Sequence, residues 1–127
     1  KLIIAAAGKL KRHLTLNNPI LDLPIGFKNN CVVMDGILSI DGGGDINILI
    51  KYLESKNLKG IAIITLVDDA KFVAESFSNW LWVCFTRSNP SHDVYGLNMK
   101  ILNKHFSCSI PIIDARIKPH HAPILSR

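Results

Sequence analysis

No stretch of this 127-residue chain reaches the roughly 18 to 20 apolar residues of a membrane-spanning helix. The one segment resembling a signal h-region, residues 2–7 behind Lys1, is only six residues long and is interrupted by Gly8-Lys9. Cysteine is scarce. Cys31, Cys84 and Cys108 are odd in number, far apart and lack a Cys-x-x-Cys pair, which argues against a disulfide framework or zinc knuckle and for reduced structural thiols. Aromatics are few and do not interleave with the basic residues, and no finger, zipper or helix-turn-helix signature occurs, so a base-stacking surface is not indicated. The Walker pattern, the dinucleotide fingerprint and the Gly-x-Ser-x-Gly elbow are missing as well. The expectation is a cytoplasmic protein with no transmembrane segment and no nucleic-acid partner.

What is present suits a folded α/β domain. A chain of this length can bury roughly two thirds of the surface its unfolded form exposes, so it needs no staples. Nearly half of the residues are hydrophobic, which speaks against disorder. The net charge of +5 is uneven: Lys1, Lys9, Lys11 and Arg12 precede the first acid, Asp22, and Arg116, Lys118 and Arg127 form a second basic group. The chain opens on Lys1 rather than Met, and an upstream sequence is expected.

Ile3, Ala7, Leu10 and Leu14 recur at helical spacing, which predicts a first helix up to Leu16, ended by Asn17-Asn18-Pro19. Residues 17–30 read as a connector and 31–127 as the α/β core, the whole chain forming one domain. Two apolar runs, 31–34 and 37–40, flank Asp35-Gly36, a dipeptide that favours a tight hairpin when both residues take positive φ. Beyond Gly42-Gly43-Gly44, Asp45 is the expected N-cap of a helix carrying Ile46, Leu49, Ile50 and Leu53. A glycine turn before a helix invites a phosphate site, but its spacing fits a flexible capped turn better.

The β-branched run 61–67 reads as a strand covered on both faces, closed by Asp68-Asp69. One helix follows, with Val73, Phe77, Trp80, Leu81 and Cys84 on one face and Trp82, Val83 and Phe85 adding apolar surface elsewhere. A helix greasy nearly all round must be buried nearly all round, which favours a partner surface. If Trp82 is core, its replacement by Ala should cost roughly 3 to 5 kcal/mol. Ser88-Asn89-Pro90 ends the helix, residues 94–96 form a short strand, 97–108 are irregular, and 110–113 form the last strand. The fold class is a layered α/β domain with a mixed β-sheet flanked by helices.

Several constellations carry residue types found in reactive sites. Asp68 and Asp69 stand at a strand end, where α/β folds place ligands, but neighbours on a strand point to opposite faces, and capping or pairing with Arg87 is the better account. His120-His121 diverge between two prolines. His105 and Cys108 make at most half a zinc site. Ser88, Ser91, His92 and Asp93 lie within one turn, whereas triad members converge from distant parts of a fold; Asp93 and Ser88 are expected to bond local backbone amides.

The order of Val67-Asp68-Asp69, Trp82 with Thr86-Arg87, Asn89-Pro90 with Asp93, and Asp114-Ala115 with Lys118 resembles the carboxy-terminal part of the UbiD family of decarboxylases. The resemblance runs from about Gly36 to Pro123 and looks closest to a bacterial branch. Asn89 stands where the family usually has an acid, and Arg116 where it has Thr. The resemblance implies a parent carboxy-lyase acting on an aromatic or α,β-unsaturated acid, as in quinone biosynthesis. Its prenylated flavin mononucleotide and divalent metal would sit in an upstream cofactor domain of the same polypeptide, together with a Glu-Arg-Glu set that has no counterpart here. This chain would serve dimerisation and interdomain movement and would be inactive alone. On that reading it carries no catalytic, cofactor-binding or metal residues, and Trp80, Trp82, Arg87, Asp114, Arg116 and Lys118 are candidates for interdomain or dimer contact. Two rivals stay open: a stand-alone module binding phosphate, nucleic acid or an acidic partner through its basic ends, and a small α/β enzyme built on Asp68, Asp69 and the late histidines.

Overall fold

Alternation along three short strands separates the apolar side chains into two cores. In the computed structural model, which describes residues 7–120, β1 (Phe27–Met34) and β2 (Ile37–Gly42) form an antiparallel hairpin, and α1 (Ile46–Glu54) crosses over to β3 (Ile63–Val67). Next come α2 (Ala70–Ala74), α3 (Phe77–Arg87), β4 (Val94–Leu97), the ribbon β5 (Lys100–Leu102) and β6 (His105–Ser107), and β7 (Ile110–Asp114). The sheet order is β1-β2-β3-β7-β4, with β2, β3 and β7 parallel and both edge strands antiparallel.

Leu38, Ile40, Ile64, Leu66 and Ile112 join Ile46, Leu49 and Leu53 of α1 in one core. Their strand neighbours Ile37 and Val67, with half-buried Ile63 and Ile113, belong to a second core with Ala70, Val73, Trp80, Val83 and Cys84 of α2 and α3. Since successive side chains point to opposite faces, the helices cover both sides of the sheet. The layered α/β fold with a mixed, helix-flanked sheet is therefore as the sequence implies. Ser39 and Thr65 are polar and fully buried on the second face; they bond each other at 2.8 Å, and the Trp80 indole donates to the Thr65 hydroxyl at 3.3 Å. Burial pushes the Cys84 thiol up to about 12, which keeps it an inert core group.

Several elements differ from the sequence expectation. The expected first helix is absent over the described residues 7–16, which have no regular structure; residues 1–6 lie outside the described residues. Thr15 spends its backbone on two turns at the edge of the sheet strands instead, donating to Gly60 at 3.1 Å and accepting from Gly36 at 2.9 Å. A Cβ at either glycine would lie about 3.0 Å from Leu14 or Thr15, so the two glycines make the slot that holds this arm. The connector gives way to β1 at Phe27, four residues before the expected strand.

In the first hairpin only Gly36, at φ +76°, takes the left-handed conformation, whereas Asn103 and Lys104 both take it in the β5–β6 turn. That ribbon replaces the expected irregular stretch 97–108. Its turn lacks glycine, so the composition signal for a hairpin is missing. The single helix after Asp69 is two: the Ser76 side chain accepts from the Asn79 amide and starts α3 afresh.

Candidate functional site at the carboxyl ends of the parallel strands

The three parallel strands end side by side at Asp41, Val67-Asp68 and Asp114, the edge at which open α/β sheets place their ligands. A cleft of about 630 Å³ opens there. Four carboxylates line it, and each is committed.

Asp41, 5% exposed, accepts from the Asn29 backbone and side-chain amides and from the Ala70 amide at 3.0 to 3.2 Å, tying β1, β2 and α2 together. Asp69 caps α2 by accepting from Phe72 N–H at 3.0 Å. Asp68 pairs with Arg87 at 3.0 Å and also accepts from the Ile117 amide at 3.0 Å. Asp114 takes both prongs of the Arg116 guanidinium, Nε at 2.9 Å and Nη2 at 2.7 Å.

The cations complete the lattice. The Nη1 of Arg116 donates to the carbonyls of Gly42 and Gly44 at 3.2 and 2.8 Å, fastening the glycine turn to the end of β7. Lys118 lies 3.3 Å from Asp93 and 3.6 Å from Asp114 and donates to the Asp114 carbonyl at 2.8 Å. Asp93 in turn accepts from Asn89 N–H at 2.7 Å. Burial alone would raise the Asp114 carboxyl, but the hydrogen bonds and charge of Arg116, with Lys118 behind, outweigh it and hold the group below its ordinary value. Bonding to Asp114 likewise raises Arg116. Fixed charges of both signs in this arrangement tie the strand ends together.

Of the residues singled out from sequence, Arg87, Asp114, Arg116 and Lys118 meet at this edge. Trp80 does not. It is 3% exposed and points into the second core, where Phe77 stacks on it with ring centroids 5.3 Å apart. Trp82 is half-buried, and Phe77 and Phe85 are exposed on the same helix. Ser91 Oγ lies 2.8 Å from His92 Nδ1 and also donates to Asn89, while Asp93 turns away to Lys118, so no triad forms. Ser88 departs from expectation, donating to the Cys84 carbonyl rather than accepting from an amide, which a hydroxyl in the last turn of a helix reaches readily. Among the described residues no group of three or more His, Cys, Asp or Glu is placed to hold a metal ion. His121 lies outside the described residues. Asp41 and Asn29 were missed from sequence, although an acid followed by three glycines at a strand end was a visible signal. Among the described residues no helix is long and apolar enough to cross a membrane.

No family model matches the sequence. In an alignment of 115 residues that covers 84% of this chain, the identity to a 4-hydroxybenzoate decarboxylase subunit from Chlamydia pneumoniae is 26%. This chain is similar to part of a decarboxylase. The chain spans about 20% of that relative's length. Two solved structures of the vanillic acid decarboxylase of Sedimentibacter hydroxybenzoicus, both in open form, align with 71% of the chain at 19% identity, with TM-scores of 0.48 and 0.45. The aligned part makes up 23% and 22% of those chains.

Proposed function

We propose that this chain is the carboxy-terminal part of a UbiD-like carboxy-lyase that decarboxylates an aromatic or α,β-unsaturated acid, and that it serves interdomain and dimer contacts rather than chemistry. The observation that carries this is the convergence of the motif residues. Asp68, Arg87, Asp93, Asp114 and Lys118, spread over 51 positions of the sequence, form two neighbouring ion-pair groups, Asp68 with Arg87 and Lys118 with Asp93 and Asp114, at a single edge of the sheet. Similarity to part of a decarboxylase over most of this chain supports the same reading.

On this proposal, prenylated flavin mononucleotide with a divalent metal belongs to an upstream cofactor domain of the same polypeptide and supplies the electron storage that loss of CO2 requires. The residues of this chain supply a rigid strand-end surface. Half-buried Trp82 and exposed Phe85, three positions apart on α3, supply an apolar patch for a homodimer contact.

The test uses carboxyl-labelled 4-hydroxybenzoate and measures label released as CO2. The natural polypeptide containing this chain is expected to release label and the 127-residue chain alone to release none. Release by the chain alone would overturn the division of labour. Loss of natural-polypeptide dimers on Phe85→Glu, seen by ultracentrifugation, is the expected result for the α3 face.

A further inference from the structure

Residues 98–107 are exposed without interruption, and they stand outside the five-stranded sheet as the ribbon β5–β6 and its flanks. The base of the ribbon is fixed. Ser109 N–H donates to the Leu97 carbonyl at 2.9 Å, the Asn98 side-chain amide donates to Ser109 Oγ at 3.1 Å, and the Asn98 backbone N–H donates to Glu54 at 2.8 Å. Gly96 of β4 leaves the space for this seat, since a Cβ there would run into Cys108 and come within 3.1 Å of the Phe106 ring. The outer part is bare: Ile101 and Leu102 are 70% and 72% exposed, Met99 and Phe106 53% and 48%.

The ribbon register sets Ile101 opposite Phe106 and Leu102 opposite His105. Opposed residues share a face and successive residues alternate, so Ile101 and Phe106 are apolar on one side and Leu102 is apolar on the other. Lys100 and Lys104 flank them. No acid occurs in the sequence between Asp93 and Asp114, and none of the ion pairs among the described residues uses either lysine. The partner that fits offers hydrocarbon to both sides of the ribbon and negative charge beside it. A second copy of the ribbon would set Lys100 and Lys104 against their own counterparts with no ribbon acid to receive them. An anionic bilayer supplies both needs, because apolar side chains enter the headgroup–acyl boundary while the long lysine stems reach the phosphates. Strands of three residues extend about 10 Å, the depth of that boundary, and there the unpaired edge N–H and C=O groups still meet headgroups and water. We propose that the β5–β6 ribbon docks this protein on an anionic lipid surface, with Ile101, Leu102 and Phe106 immersed and Lys100 and Lys104 on the phosphates. The proposal is independent of the decarboxylase assignment.

Sedimentation of the full 127-residue chain with vesicles tests it. The chain is expected to sediment with vesicles of one part phosphatidylglycerol to two parts phosphatidylcholine, to do so less as salt is raised, and to stay behind with phosphatidylcholine alone. Ile101→Ser with Leu102→Ser should lower the partition about tenfold or more, and Lys100→Gln with Lys104→Gln several-fold, while the rest of the amide spectrum stays in place because all four positions are exposed. A spin-labelled lipid in the mixed vesicles should broaden the amides of residues 99–107 first. Equal sedimentation of the Ile101 and Leu102 double variant and the wild type, or equal sedimentation with phosphatidylcholine alone, would overturn the proposal. So would broadening centred on residues 9–12, which would give the contact to the basic arm. A dimer formed without lipid and abolished by Leu102→Ser would also overturn it, because the ribbon would then join two copies.

Discussion

Asp114 carries the carboxyl-end lattice, since Arg116, Lys118 and through them the glycine turn and Asp93 all depend on it. Asp114→Asn should cost about 2 to 3 kcal/mol near pH 7, because the two cations stay half-buried with weaker partners. The sign of the pH effect follows from the depressed carboxyl. Its stabilisation is complete above the unfolded-state value near 3.8 and is lost as pH falls through the lower folded-state value. Urea unfolding should therefore show an acid limb that is steeper in the wild type than in Asp114→Asn, and parallel limbs would contradict the assignment. At the tryptophans the expected costs separate: Trp80→Ala about 3 to 5 kcal/mol as a core truncation, Trp82→Ala nearer about 1 kcal/mol as a half-buried one. Periodicity placed both indoles on one apolar helix but did not rank them. Their burial is set by the sheet beneath, where Thr65 accepts from the Trp80 indole.

Among the elements, strands and helices with a strong apolar period were legible, and those held by tertiary bonds or by turn geometry were not. The strand around residues 61–67 and the helix capped by Asp45 follow directly from pattern. The arm 7–16 carries helical spacing yet stays irregular, because a short helix without a packed face is marginal and the Gly36–Gly60 slot offers its backbone two bonds. The ribbon β5–β6 was hidden because its turn uses Asn103-Lys104, both at positive φ, in place of the usual Asn-Gly. Lys104→Gly should relieve that strain and slow hydrogen exchange across the ribbon by several-fold; unchanged exchange would mean the turn is not what limits it. The glycine turn gives a sharper contrast. A Cβ on Gly43 meets nothing within 4 Å, whereas one on Gly44 would come within 2.5 Å of the Phe27 ring. Gly43→Ala should leave the melting temperature nearly unchanged, and Gly44→Ala should lower it by several degrees.

At the scale of the molecule, the two ends of the sheet divide the labour. The carboxyl end is charged, internally balanced and built from the motif residues, while the amino end carries exposed Lys11, Arg12, Lys56 and Lys59 over buried aliphatic side chains. The motifs were readable because the lattice uses charged residues in short recognisable blocks. Which block meets which was not, since Lys118 and Asp93 lie 25 positions apart and only the antiparallel pairing of β4 with β7 brings them together. On the proposed function, this α/β unit is part of a larger decarboxylating polypeptide. The most direct measurement is the mass and activity of the species that an antibody against this chain captures from source cells. The proposed function predicts a polypeptide several times heavier than 14.1 kDa that releases CO2 from 4-hydroxybenzoate. A captured species of 14.1 kDa alone, with no such activity, would contradict it.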